Sequence, residues 1–283
     1  MTPGLPRRRA RPLRAGATPV LAAAAVLLVP LVPLVLWAFA DRWSFPALLP
    51  QRWGTRGFAE VLGTQTYAAL GRSALVGAAV AVAATTLGVM AGRALGWKLT
   101  RWRPATVAVL VSPVAIPPLA VAMGVDSLVL RAGIPELVAV ILILTVFALP
   151  YTVFTMASRY AATDPAMEEQ ARLLGATAHQ ALTRVTLPSL LPAIATALFL
   201  SFLVGWTDYA VTLLVGGGQL VTVPMLIGSA ASAAGNEPVV AVLSLLSVLP
   251  PLLLLALAVH PIRSVGLQAR RRQHILEARP HVQ

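Results

Sequence analysis

The chain has 283 residues, of which 58% are hydrophobic and only 11% are charged, and its mean hydropathy is +0.80. These values exclude an ordinary soluble domain and predict an all-α protein that crosses a membrane several times. The net charge of +12 does not indicate nucleic acid as a partner, because the basic residues are spread over the termini and short loops.

The amino terminus consists of a basic tail followed by the first apolar stretch. Residues 1–18 contain five arginines and no apolar periodicity, so we predict a disordered cytoplasmic tail. Residues 19–40 are interpreted as a membrane-spanning helix. A cleaved leader is the alternative, because Ala38-Phe39-Ala40 resembles a signal-peptidase site. An apolar region of about 22 residues exceeds the roughly 7–15 of most signal peptides, which favours a retained helix.

Five further apolar stretches are each long enough to cross the hydrocarbon core as a helix. Together with the first stretch they predict a six-helix transmembrane domain over residues 19–262, followed by a basic cytoplasmic tail over 263–283. The predicted second to sixth spans are residues 73–95, 105–130, 137–158, 189–214 and 238–260.

The basic residues predict which side of the membrane each loop occupies. Seventeen of the 22 lysine and arginine residues fall in the two tails and in the second and fourth loops of the six-helix arrangement. Loops rich in lysine and arginine stay in the cytoplasm, so both termini and the fourth loop are predicted to be cytoplasmic. The five on the other side are Arg42, Arg52, Arg56, Arg72 and Arg131.

The fourth loop, residues 160–188, mixes charge with signals for the ends of helices. Asp164-Pro165 predicts the start of a short helix, since aspartate caps helices and proline is favoured at their first position. Gly175 predicts the end of that helix. Thr177 and Gln180 have the spacing of a capping box and predict a second short helix. The loop is therefore predicted to be a helical hairpin.

The first helix of this hairpin is predicted to be amphipathic. Met167, Ala171 and Leu174 would form an apolar stripe, and such a hairpin is expected to pack on something apolar. Glu168 and Arg172 are spaced for an i,i+4 ion pair on another face. Such a hairpin presents a polar surface to water and is suited to docking.

The same segment contains a motif of fixed spacing. Glu169-Gln170-Ala171 is followed after three residues by Gly175 and after nine more by Val185-Thr186-Leu187-Pro188. This motif resembles the cytoplasmic loop signature of ABC-type importer permeases, which runs Glu-Ala-Ala, three residues, Gly, nine residues, Ile-x-Leu-Pro. Gln170 replaces the middle alanine and Val185 replaces isoleucine, whereas the acid, the glycine and the proline are present.

The resemblance extends over about residues 70–260 and implies a MetI-like bundle of six transmembrane helices with a cytoplasmic coupling-helix hairpin. In that family the hairpin seats in a groove on the ATPase subunit. The residues that match the family's coupling loop are Glu168, Glu169, Ala171, Gly175, Val185, Leu187 and Pro188.

The resemblance also implies partners and a location. The expected partners are a dimer of ABC ATPase subunits, a second permease subunit, an extracytoplasmic solute-binding protein and the lipid bilayer. The resemblance favours a different homologous chain as the second permease, and an identical chain is the alternative. The expected location is the bacterial inner membrane. Residues 112–125 and 146–165 resemble the branch that transports polyamines, thiamine and ferric iron, and a polyamine is the leading solute.

Polar residues and prolines inside the spans are candidates for the solute pathway. A carboxylate at membrane depth is costly unless it faces the bundle interior or a wet cavity. A proline inside a span kinks the helix, and the kink either helps to line a cavity or only shapes the bundle. For Asp208, a structural role as partner of Arg131 or of a backbone N–H at a helix end stays open beside contact with solute. The candidates are Asp208, Trp206, Thr207, Tyr209, Pro117, Pro118 and Asp126.

No enzyme chemistry is indicated by the sequence. Lys98 is the only lysine and no glycine-rich loop precedes it, so the chain has no P-loop for ATP. The four histidines are not at metal-ligand spacing, and the absence of cysteine excludes thiolate chemistry. We expect a transport subunit without catalytic residues, cofactor or metal. An ion-coupled secondary transporter is the alternative class, but the two related halves that it requires are not visible.

The charge distribution yields a topological prediction. Reporter fusions at both termini and at Gly175 are expected to report the cytoplasm, and fusions at Trp53 and Gly217 the opposite side, because the loops richest in arginine stay inside. Alkaline phosphatase and fluorescent-protein reporters at each position measure this directly. An external Gly175 would contradict the assignment, since no cytoplasmic ATPase could reach the hairpin.

Overall fold

The computed structural model describes residues 26, 29, 31–44 and 46–277, and only the backbone of residues 258–277. Residues 1–18 and ten of the 22 residues of the first predicted span lie outside the described residues, so the first tail and the count of six spans stay predictions. In chain order the elements are α1 (Leu31–Ala38), β1 (Ala40–Arg42), β2 (Arg52–Trp53), α2 (Arg56–Val61), α3 (Thr64–Gly96), α4 (Arg103–Ala115), α5 (Pro118–Ala132), α6 (Glu136–Ala161), α7 (Ala166–Leu173), α8 (Ala178–Ala181), α9 (Leu187–Thr207), α10 (Ala210–Val215), α11 (Val223–Ala231) and α12 (Glu237–Glu277).

Several of these helices are long and apolar enough to cross a membrane. Four meet this criterion singly: α3, α6, the continuous helix Ala178–Thr207, and α12 over Glu237–Leu257. The pair α4 and α5 meets it only together. By length and composition, the part of the chain that the structure describes therefore contains four candidate spans, or five if the pair counts as one. This agrees with the prediction of a multi-pass helical protein.

The third predicted span, residues 105–130, is broken rather than continuous. The axes of α4 and α5 differ by 95°. The residue before a proline is sterically driven to extended backbone, and here two such residues are consecutive. Ile116 precedes Pro117 and has ψ 129°, and Pro117 precedes Pro118 and has ψ 131°. The two prolines therefore turn the chain sharply inside the bundle.

The fifth predicted span, residues 189–214, also differs from the structure. The helix begins earlier, at Ala178, and ends at Thr207. Asp208 has extended backbone with ψ 132°, and α10 starts only at Ala210. Apolar periodicity continues through residues 205–215, so the sequence pattern did not reveal this break.

The core is organised around α3 and α6, which run parallel and touch along a stripe of glycines. A β-carbon at Gly88 would lie 2.6 Å from Thr152, one at Gly92 2.5 Å from Met156, and one at Gly96 2.5 Å from Tyr160. Small residues at a spacing of four let two membrane helices approach to backbone contact. The helix α9 packs against both, and buried hydroxyls of α3 and α9 meet 3.3 Å apart, at Thr85 and Ser201.

The two ends of this bundle carry different structures. At the start of α3, β1 and β2 form a short antiparallel ribbon. At the same end, α2 packs on the first turn of α12, and a β-carbon at Gly57 would lie 2.7 Å from the carbonyl oxygen of Pro238. On α2, Glu60 accepts a hydrogen bond from Arg56 at 2.6 Å and raises the pKa of that guanidinium. The hairpin predicted over 160–188 lies at the far end of α3, about 50 Å of helix away.

The glycine stripe can be tested with a matched pair of substitutions on α3. Gly92→Ala is expected to destabilise the protein by about 1–3 kcal/mol, because the new methyl group overlaps Met156. Gly71→Ala is the control, since nothing lies within 4 Å of a β-carbon there. It is expected to be neutral or stabilising by up to about 1 kcal/mol through helix propensity. Thermal unfolding of the purified proteins in detergent measures both. Equal stability of the two variants would contradict the packing role.

Candidate functional site

The first helix of the hairpin, α7, has the ends that the sequence predicts. It begins at Ala166, whose N–H donates to Oδ1 of Asp164 at 2.9 Å, so the aspartate caps the helix. It ends at Leu173, and Gly175 follows with φ +91°. That left-handed conformation strongly favours glycine. A β-carbon at Gly175 would meet nothing within 4 Å, so the constraint at this position comes from the backbone and not from space.

The second half of the hairpin starts as predicted but continues differently. Thr177 and Gln180 form both hydrogen bonds of a capping box, at 3.0 and 3.2 Å. The helix that starts there is not a separate short one, because it passes through a π-helical turn, Leu182–Thr186, into α9. Pro188 explains the turn: it has no N–H for the carbonyl of Arg184, and its ring would collide with that carbonyl in an α-helix. A π turn inside a helix is typical of functional segments.

The predicted apolar stripe of α7 is not buried within the chain. Met167 is 50% exposed and Leu174 is 89% exposed, and the neighbouring Leu173 is 87% exposed. The apolar contact predicted for this hairpin is therefore not made within the described part of the chain, because the side of α7 that faces the bundle is occupied by a polar contact. Three large apolar side chains are therefore available to another molecule.

That polar contact corrects a second prediction. Glu168 pairs with Arg93 of α3 at 3.1 Å and not with Arg172 one turn away. Arg93 was not among the predicted site residues; the one signal for it was a charged residue in the last turn of a predicted span. The other coupling-loop residues lie as follows: Glu169 exposed, Ala171 and Val185 half-buried, and Leu187 and Pro188 exposed.

The predicted pathway residues are partly brought together. A cavity of about 450 Å³ lies beside the break between α4 and α5, and it is lined by α4, α5, α6 and the junction of α9 and α10. Thr207, Asp208, Tyr209 and Pro118 all line it. Aliphatic side chains make up most of the remaining wall, together with Pro113, Phe147 and Tyr151.

The other three candidates lie elsewhere. Trp206 is 2% exposed and donates from Nε1 to the carbonyl oxygen of Ser247 at 2.9 Å, which ties α9 to α12. It lines a second cavity of about 480 Å³ between α9, α11 and α12. Pro117 forms the break itself, and Asp126 lies on α5 outside the lining of either cavity.

The carboxylate of Asp208 has definite partners within the chain. Oδ2 accepts the N–H of Thr212 at 2.8 Å and its hydroxyl at 2.9 Å, and Oδ1 accepts the N–H of Val211 at 3.4 Å. Of the roles left open from the sequence, the structure thus shows the capping of a helix end, here that of α10. Asp208 also borders the cavity, because the break between α9 and α10 forms part of the cavity wall.

Comparison with known proteins gives the family. The family model described as "Binding-protein-dependent transport system inner membrane component" matches residues 84–266, well over half of the chain. The chain belongs to this family of ABC importer permeases. The coupling-loop motif, the α4–α5 break and Asp208 all lie within the matched residues.

Two curated permeases are similar in sequence. The chain is 28% identical over 230 residues to the putrescine transport system permease protein PotI of Escherichia coli strain K12, an alignment that covers 78% of this chain and 81% of PotI. It is 26% identical over 226 residues to the alpha-glucoside transport system permease protein AglG of Rhizobium meliloti, which covers 75% of this chain and 59% of AglG.

A solved structure shows the same fold. A bacterial ABC transporter involved in the import of the acidic polysaccharide alginate contains a chain that matches with a TM-score of 0.62 and 17% identity. The match covers 93% of this chain and 99% of that chain. At this identity the likeness shows the fold alone, and it confirms the MetI-like permease fold that the motif implied.

The capping role of Asp208 can be tested by stability. Asp208→Ala is expected to lower the free energy of unfolding by about 0.5–2 kcal/mol, because the first N–H groups of α10 lose their acceptor. Asp208→Asn keeps one acceptor oxygen and should lose less. Thermal unfolding in detergent measures both, and Thr207→Ala, which leaves all three hydrogen bonds intact, is the control. Wild-type stability of Asp208→Ala would contradict the capping role.

Proposed function

We propose that this permease forms half of the transmembrane pathway of an ATP-driven importer and couples to a separate ATPase through the α7 hairpin. The observation that supports coupling most directly is the exposed apolar end of α7. Leu173 and Leu174 are both nearly fully exposed beside a glycine turn, at the end of the bundle away from the β-ribbon. Large apolar side chains at the tip of a rigid hairpin are suited to a hydrophobic groove on a partner.

The proposed partners follow from this arrangement and from the family. The hairpin docks on one subunit of an ABC ATPase dimer, which binds the ATP, and no cofactor or metal is assigned to this chain. A second, different permease chain completes the pathway, and an extracytoplasmic solute-binding protein delivers the solute. Nucleic acid is not a partner. We place the complex in the bacterial inner membrane, with both termini and the hairpin in the cytoplasm.

The cavity at the α4–α5 break is the proposed segment of the solute path. It is bordered by a carboxylate at Asp208 and by the aromatic ring of Tyr209, groups that suit an organic cation. Similarity to a putrescine permease supports a polyamine as the solute. Similarity to an alpha-glucoside permease at nearly the same identity supports a neutral sugar instead, and thiamine and ferric iron are further alternatives.

The solute can be identified by measuring ligand binding to the partner solute-binding protein, because most of the selectivity of this family resides in that protein. Titration calorimetry with putrescine, spermidine, thiamine, ferric iron and an alpha-glucoside is expected to show the tightest binding for a polyamine. Tightest binding of any other ligand would replace the polyamine assignment. ATP-dependent uptake by vesicles containing the complete complex separates an ABC importer from an ion-coupled transporter, whose uptake would follow an ion gradient without ATP.

The role of the hairpin is tested at Gly175. Gly175→Val is expected to abolish most uptake while the protein still inserts, because a β-branched residue at φ +91° adds strain of about 1–3 kcal/mol and displaces the docking surface. Glu169→Ala should show a milder version of this defect. Membrane abundance, co-purification of the ATPase and uptake are measured for each variant.

A matched control is available at the opposite end of the bundle. Gly133 also has positive φ, at +61°, and also has nothing within 4 Å of a β-carbon. Gly133→Val introduces comparable backbone strain away from the hairpin and should leave the ATPase bound. If Gly175→Val transports at the wild-type rate with the ATPase bound, the hairpin is not the coupling element.

A further inference from the structure

Two adjacent glutamates of α7 face in different directions. Glu169 is exposed, whereas the side chain of Glu168 is only 12% exposed and lies against α3. Its Oε1 accepts a hydrogen bond from Nη2 of Arg93 at 3.1 Å, and its Oε2 accepts from the same nitrogen at 3.2 Å and from the hydroxyl of Thr186 at 3.2 Å. Both carboxylate oxygens are thus used within the chain, which leaves Glu168 poorly suited to bind a partner.

The arginine of this pair is itself held in place. The guanidinium of Arg93 lies over the ring of Trp97, 4.6 Å from its centroid. The indole N–H of Trp97 donates to the carbonyl oxygen of Tyr160 at 3.0 Å, and the two rings meet edge to face. Tyr160 in turn sits against Gly96 in the glycine stripe. A continuous set of contacts therefore leads from Glu168 on the hairpin into the α3–α6 interface.

A third hydrogen-bond partner, Thr186, connects Glu168 to the other side of the hairpin. Thr186 is buried and is the last residue of the π turn, immediately before α9. Glu168 therefore contacts α3 and the start of α9 at once. The backbone joins the hairpin to α6 and α9, but among the described residues the hydrogen bonds from α7 to α3 are only those of the Glu168–Arg93 pair.

A partly buried ion pair of this kind holds two elements together more firmly than a fully exposed pair does. Charges removed from water are screened less by salt, and loss of Arg93 would leave the carboxylate of Glu168 largely buried without a counter-charge. An exposed i,i+4 pair such as Arg56–Glu60, by contrast, contributes little to stability. The Glu168–Arg93 pair is therefore expected to hold α7 and α3 together when a partner moves the hairpin.

We infer that Glu168 is a positioning residue that, through Arg93, transmits movement of the docked hairpin to α3, while Glu169 and the exposed leucines make the partner contacts. This inference rests on the proposed function. It divides the coupling loop into an outward surface that binds the ATPase and an inward pair that connects binding to the transmembrane helices. Neutralising the inward pair should uncouple hydrolysis from transport without releasing the ATPase.

The experiment uses the complete importer, reconstituted in vesicles with its ATPase and binding protein. Glu168→Gln keeps the shape of the side chain and removes its charge. The ATPase should stay bound and continue to hydrolyse ATP. The amount of solute transported per ATP should fall by about 2- to 30-fold, which is the fold-change that corresponds to the coupling energies measured for residues between two coupled sites. The double variant Arg93→Glu with Glu168→Arg restores opposite charges and should recover part of this ratio.

Two further variants make the result specific. Glu60→Gln removes the acid of an exposed ion pair at the other end of the bundle and should leave the ratio unchanged. Thr186→Val removes only the hydroxyl that donates a hydrogen bond to Glu168. It should lower the ratio of solute to ATP less than Glu168→Gln does. If Glu168→Gln fails to accumulate in membranes, Thr186→Val decides, and a wild-type ratio in that variant overturns the inference.

The remaining outcomes separate this inference from the proposed function. Loss of the ATPase from Glu168→Gln, with normal membrane abundance, would make Glu168 a docking contact and overturn its positioning role. An unchanged ratio of solute to ATP in Glu168→Gln would overturn it as well. Failure of the wild-type chain to co-purify with any ABC ATPase would instead contradict the proposed function.

Discussion

The close approach of α3 and α6 along Gly88, Gly92 and Gly96 is the constraint on which the rest of this structure depends. Apolar side chains gain little by leaving lipid for one another, so membrane helices associate where small residues allow backbone contact. This contact brings the last turns of α3 and α6 side by side. It thereby sets Trp97 against Tyr160 and places Arg93 where the following hairpin can reach it. The hairpin takes its position from a packed helix pair.

The cavity depends on a second requirement, that backbone groups inside a membrane protein find partners. At Ile116 and Pro117 two successive residues are forced to extended backbone, and the span breaks. At Asp208 the backbone is extended as well, and the carboxylate supplies the acceptor that the first N–H groups of α10 need. Both breaks border the same cavity. Irregular backbone in a membrane is tolerated where it lines such a space, and this supports the proposal that the cavity belongs to the solute path.

Predictions from local chemistry were confirmed, and those that required a long-range partner often were not. The capping box at Thr177 and the positive φ of Gly175 follow from the conformational preferences of a few adjacent residues, and both are present. The ion pair predicted within α7 satisfied the spacing rule, but Glu168 instead reaches Arg93, 75 residues earlier. The break at Asp208 was hidden because apolar periodicity continues across it.

The sequence by itself determined that this is a helical membrane protein of the permease family and that residues 160–188 form a capped hairpin. Composition determines whether the surface of a protein is stable in lipid or in water, and helix caps and turns depend only on neighbouring residues. Membrane location and the hairpin can therefore be predicted without a structure. The tertiary structure alone decided that Glu168 faces inward, that the apolar residues of α7 face outward, and that Asp208 caps α10 beside a cavity. These features depend on where distant helices lie relative to one another, which the packing of the glycine stripe sets and local sequence does not encode.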